Sequence, residues 1–100
     1  MEVMEMARFS VVGGLADEVA TERLAGATDW LRRQPGFLSR TLLGPDAGGR
    51  WTDLVRWRSH VDAEAAMAAF GASPELAATR SVIDPSTVEV SHHPIVSASR

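Results

Sequence analysis

The sequence has no cysteine, which removes disulfides, thiolate nucleophiles and thiolate metal ligands together. It has no run of about 18 apolar residues either, so no segment reads as a membrane-spanning helix. Lys and Arg total 10 against 13 Asp and Glu, for a net charge of −3, and the arginines are dispersed. A nucleic-acid surface is therefore not expected, because phosphate binding needs clustered positive charge. Glu2 and Glu5 stand where a secretory signal would be basic, so a cytoplasmic location is expected. What is present is 100 residues, 45% hydrophobic and 23% charged, which suits one globular domain over residues 1–100.

Arg50 to Ser59 carries the clearest strand pattern. Successive side chains of an extended chain point to opposite faces. Trp51, Asp53, Val55 and Trp57 therefore share one face, and Thr52, Leu54, Arg56 and Arg58 the other. Two indoles flanking a carboxylate admit two readings. In one, the tryptophans fill the core and Asp53 is a hydrogen-bonded buried group, paired with Arg23, Arg32 or another cation. In the other, the face lines a ligand pocket whose polar handles are Asp53 and the Trp57 indole N–H.

Taken in order, Glu2–Val12 alternates as a first strand, with Val3, Ala7, Phe9 and Val11 on one side and Met4, Met6, Arg8 and Ser10 on the other. From Ala16 to Gln34 the period becomes helical, and Val19, Ala20, Leu24, Ala27, Trp30 and Leu31 form the apolar stripe. Asp17 and Glu18 in its first turn and Arg32 and Arg33 in its last suit the helix dipole, and Pro35-Gly36 ends it. Phe37–Leu43 is a second strand, joined by the turn Pro45–Gly49 to the Trp51 strand as an antiparallel hairpin. Ser59 and Asp62 have capping-box spacing for a second helix reaching Gly71. Ser73-Pro74 predicts a fresh N-cap and a short helix to Thr79 or Arg80. Thr87–Ser91 is the fourth strand.

Strand, helix, strand, strand, helix, strand is the order of the ferredoxin-like α+β fold: a four-stranded antiparallel sheet with its helices on one face. With the tryptophan face and Phe37 turned toward the helices, Met4, Met6, Leu38, Leu42 and Leu54 share the open face with Arg8, Arg40 and Arg56. Such a surface is too apolar to face water alone, so a homodimer formed through the open sheet face is expected.

Ala7-Arg8-Phe9, Pro35-Gly36-Phe37-Leu38-Ser39, Leu54-Val55-Arg56-Trp57-Arg58-Ser59, Pro74-Glu75 and Val82-Ile83-Asp84 together resemble the antibiotic biosynthesis monooxygenase-like proteins of the dimeric α+β barrel superfamily. The resemblance covers nearly the whole chain. It implies a homodimer with a substrate pocket in each subunit between sheet and helices. In the quinone-forming oxygenases of that group, which use no metal or flavin, an Asn and a Trp four residues later on the third strand handle the substrate together with a Tyr on the second helix. Trp57 matches the Trp and Asp53 takes the Asn position. The Tyr is missing, since the chain has none and Ala63 or a neighbour occupies its place. Haem-degrading relatives ligate iron through a His on the second helix, and Val61–Ser81 contains no His.

The resemblance thus implies an aromatic or polyketide-like small-molecule ligand and a cofactor-independent monooxygenase, an oxidoreductase. Asp53 and Trp57 are the candidate catalytic pair, as base and hydrogen-bond donor. Trp51, Val55, Phe9, Trp30, Met67 and Phe70 are the candidate substrate-binding residues. No cofactor and no metal site is expected: His92 and His93 are adjacent and point to opposite faces of a strand, and His60 sits at a helix start. The alternatives are a non-catalytic ligand-binding or structural dimer, whose pocket Trp30, Trp51 and Trp57 fill, and a polyketide cyclase of the same fold.

Overall fold

The computed structural model, which describes residues 1–100, gathers the alternating segments into one antiparallel sheet. β1 (Val3–Phe9), β2 (Phe37–Leu43), β3 (Trp51–Trp57) and β4 (Glu89–Pro94) lie in the order β2-β3-β1-β4. Four helices, α1 (Asp17–Ala25), α2 (Thr28–Arg32), α3 (His60–Phe70) and α4 (Ala77–Val82), pack against the face that carries Val3, Phe9, Trp51, Val55 and Trp57. This is the ferredoxin-like α+β fold expected from the element order.

The stripe expected to make a single helix over Ala16–Gln34 makes two. Gly26 N–H still donates to Glu22 O at 3.0 Å, but Ala27 N–H turns back to Leu24 O at 3.2 Å. In a continuous α-helix the Leu24 carbonyl would accept from Thr28. Here Arg40 Nη1 donates to Leu24 O at 2.8 Å and to Thr28 Oγ1 at 3.1 Å. The stripe survives the step, since Ala27, Trp30 and Leu31 stay buried, which is why periodicity alone did not show it.

β2 carries a second departure. Phe37 pairs with Trp57 and Ser39 with Arg56, so Leu38 is the extra residue of a bulge. One inserted residue reverses the faces of every residue after it in the strand. Arg40 and Leu42, expected on the open face, lie opposite Val55 and Asp53 and turn toward the helices, while Thr41 and Leu43 face outward beside Leu54 and Thr52. Gly36 just before the bulge has φ +81°, and a Cβ there would overlap the Asp62 carboxylate at the start of α3.

Boundaries moved for identifiable reasons. β1 leaves the sheet after Phe9 because Ser10 N–H is taken by Thr87 Oγ1 at 2.9 Å, and Val11 bridges to Ile83. Ser59 caps α3 as expected, its Oγ accepting from Asp62 N–H at 3.1 Å. Ser73 makes no side-chain cap; Pro74–Leu76 forms a 3₁₀ turn, and α4 extends past Arg80 to Val82. Another 3₁₀ turn at Pro85–Thr87 delays β4 to Glu89. No helix is long and apolar enough to cross a membrane.

Candidate functional site

Two tryptophans on one strand end in different surroundings. α1 lays Leu24 and Ala20 over Trp51, which is sealed in with Phe9 and Val82. α3 offers only Ala63 and Ala66 to the buried core near Trp57, and small side chains leave space. A cavity of about 510 Å³ results, within the usual range of small-molecule sites.

Of the residues picked out by sequence, Asp53, Trp57, Phe9, Trp30, Met67 and Phe70 line this cavity. Trp51 and Val55 do not: both are buried in the core, where the helices reach the sheet. Glu5, Ala7, Arg80, Ile83, Val88 and Val90 line it as well. Glu5 was legible, since strand period places it between Val3 and Ala7 on the helix side. Arg80 was not, because its position depends on how α4 is seated after the turn that follows α3.

Asp53 is held in a fork. Arg40 Nε donates to its Oδ1 at 3.0 Å and Arg40 Nη2 to its Oδ2 at 2.7 Å. The Arg40 side chain is 4% exposed and Asp53 17%, so the pair is largely withdrawn from water and geometrically strong. Its cation is neither Arg23 nor Arg32, because the β2 bulge turned Arg40 inward.

Trp57 presents the opposite condition. The residue is 1% exposed, stands edge-on to Phe37 at 5.9 Å, and its indole Nε1 has no hydrogen-bond partner. Buried donors are nearly always satisfied, so this orphan, on a residue that lines the cavity, calls for an acceptor. Arg80 Nη1 donates to the carbonyls of Phe70 and Ser73, each at 2.7 Å, which ties the end of α3 to the turn before α4. Trp30 and Phe70 close another wall edge-to-face at 6.0 Å.

Glu5 Oε1 lies 3.1 Å from His92 Nε2, with side-chain exposures of 16% and 15%. Burial raises the Glu5 carboxyl above its ordinary value of 4.5; the His92 hydrogen bond and charge pull it back down, and the Asp53 charge pushes it up. His92 in turn stands edge-on to His60 at 5.0 Å, and His60 Nε2 meets Glu64 Oε1 at 2.7 Å on the surface. His92 and His60 border a smaller cleft beside the main cavity. His93 points the other way, toward Ser91 Oγ at 2.8 Å. No cluster of three or more His, Asp or Glu side chains is placed to hold a metal ion.

Residues 2–81 match the antibiotic biosynthesis monooxygenase family. SnoaB, a cofactor-independent oxygenase from Streptomyces nogalater, is 28% identical over 99% of this chain and 94% of its own, with a TM-score of 0.71. The ActVA-Orf6 monooxygenase of Streptomyces coelicolor, solved with Nanaomycin D, is 21% identical over 98% of this chain and 91% of its own, at 0.67. The heme-degrader MhuD from Mycobacterium tuberculosis, solved with two hemes in its active site, is 22% identical over 98% and 99%, also at 0.67. The last two are likenesses of fold. No match is found among curated proteins. With the family match running from β1 through α4 and the fold agreeing along nearly the whole chain, the protein belongs to the antibiotic biosynthesis monooxygenase family.

Proposed function

We propose that this protein, as a cytoplasmic homodimer, binds an aromatic, polyketide-like small molecule in the cavity beneath α3 and oxidises it with dioxygen, using no metal or flavin. The observation that carries this reading is an apolar cavity lined by Trp57, whose buried indole N–H has no partner within the protein. A carbonyl or enolate oxygen of the ligand would satisfy that donor, and the hydrogen bond strengthens as charge develops on the oxygen. The likeness to SnoaB supports the same chemistry.

An anthrone illustrates the balance. A base removes one benzylic proton, and the resulting enolate gives its electrons to dioxygen, forming a carbon–oxygen bond. The peroxide anion takes a proton to become a hydroperoxide. Loss of the second benzylic proton then breaks the O–O bond, leaving a quinone carbonyl and water. One oxygen atom ends in each product. The Trp57 indole holds the enolate oxygen, and the apolar wall excludes bulk water. Asp53, with both oxygens turned to Arg40, forms a charge-paired part of the wall.

The cavity does not suit haem. No His, Cys or Tyr lines it, and His60, the first residue of α3, faces His92 in the neighbouring cleft. Pairing of two open sheet faces would cover Met4, Met6 and Leu54, which are half-buried in the single chain beside Arg8 and Arg56. Stable interfaces usually bury over about 1,000 Å². Sedimentation should show a dimer at micromolar concentration, with Leu54→Arg shifted toward monomer.

The decisive assay is oxygen uptake and quinone absorbance with an anthrone and metal-free protein. One dioxygen should be consumed per quinone formed, and Trp57→Phe should slow turnover by about 10-fold or more while remaining folded. Binding without turnover would make the protein a ligand-binding member of its family. Neither binding nor turnover would sink the proposal.

A further inference from the structure

Of the two carboxylates on the cavity wall, only one keeps an oxygen without a hydrogen-bond partner. Both Asp53 oxygens accept from the Arg40 guanidinium, whose planar fork engages the whole carboxylate. Glu5 has a single side-chain contact, from Oε1 to His92 Nε2, and lines the cavity. Its partner is the His92 imidazole, which holds it by that hydrogen bond across the β1–β4 pairing. Resting on the proposed function, we infer that Glu5 is the catalytic base that takes the benzylic or hydroxyl proton of the bound aromatic, and that His92 is the residue that positions it.

The surroundings fit the role. Burial raises the basicity of Glu5, and a base is most effective when its titration approaches the working pH. The groups that face it are His92 from β4, Asp53 from β3 already paired to Arg40 of β2, and Arg80 of α4 on the same cavity. His60 of α3, itself paired with Glu64, meets the His92 ring edge-on. In the step itself the substrate C–H or O–H bond breaks, its electron pair stays on the ligand as enolate, and the proton forms an O–H bond on Glu5. That proton returns to the peroxide formed with dioxygen, so the dyad ends as it began.

Proton abstraction can be read without oxygen. Anaerobic exchange of the benzylic hydrogens of an anthrone into D₂O, followed by NMR, isolates this step, and quenching of tryptophan fluorescence by anthraquinone, which has no such hydrogen, reports cavity binding. Glu5→Gln should slow exchange by about 100-fold while keeping anthraquinone affinity within about threefold. In the wild type the exchange rate should fall as pH drops through the raised Glu5 titration. His92→Phe removes a hydrogen bond and a charge that both lower it, so this acid limb should move to higher pH. Exchange in Glu5→Gln within about threefold of wild type, or an acid limb that does not move in His92→Phe, overturns the inference alone. A wild type that binds neither anthrone nor anthraquinone overturns the proposed function, and the inference with it.

Discussion

Asp53 and Glu5 sit on neighbouring strands and line the same cavity, yet they are held in opposite ways. Asp53 meets a planar guanidinium that matches both its oxygens, and Arg40 goes on to hold the Leu24 carbonyl and the Thr28 hydroxyl at the break between α1 and α2. Glu5 meets one ring nitrogen and keeps its other oxygen uncommitted. The first corner ties strand to helix; the second leaves one carboxylate oxygen without a partner on the cavity wall, where the proposed chemistry uses it. Burial of a carboxylate is thus not by itself a sign of function, and how many of its oxygens are already taken by a partner separates the two cases.

The comparison breaks most readily at Arg40. Arg40→Met removes the fork and both helix-break contacts and leaves Asp53 with no cation, so it should destabilise by about 3–5 kcal/mol in denaturant unfolding. Asp53→Asn keeps the shape and one acceptor but leaves the nearly buried Arg40 charge uncompensated, and about 1–3 kcal/mol should be lost. The double variant Arg40→Met with Asp53→Leu should cost less than the sum of its single changes, the mark of one coupled unit.

Glu5→Gln should behave differently. Because folding raises the Glu5 carboxyl above its ordinary 4.5, the folded state binds the proton more tightly than the unfolded one. Stability from this group is therefore full below pH 4.5 and is lost as pH rises through the folded-state value. Stability against pH should accordingly decline less steeply for Glu5→Gln than for wild type above pH 4.5, and an unchanged slope would remove the contrast with Asp53. The smallest effect belongs to the surface: Arg33 and Glu75 form a bidentate but exposed pair, and Glu75→Gln should leave the melting temperature unchanged because solvent screens such pairs.

The order of elements, the shared face of Trp51, Asp53, Val55 and Trp57, the Ser59 cap on α3 and the alanine-rich helix that leaves room above the sheet were all legible in the sequence. These depend on period, capping and side-chain volume, which are local. The partner of Asp53 was settled in three dimensions, because one inserted residue at Leu38 reversed the faces of β2 and brought in Arg40. So was the contrast between Trp51, closed over by Leu24, and Trp57 beside open space, and so was the meeting of Glu5 with His92 across the β1–β4 pairing. Register, bulges and the seating of helices are set by contacts between segments far apart in the chain, and no local pattern encodes them.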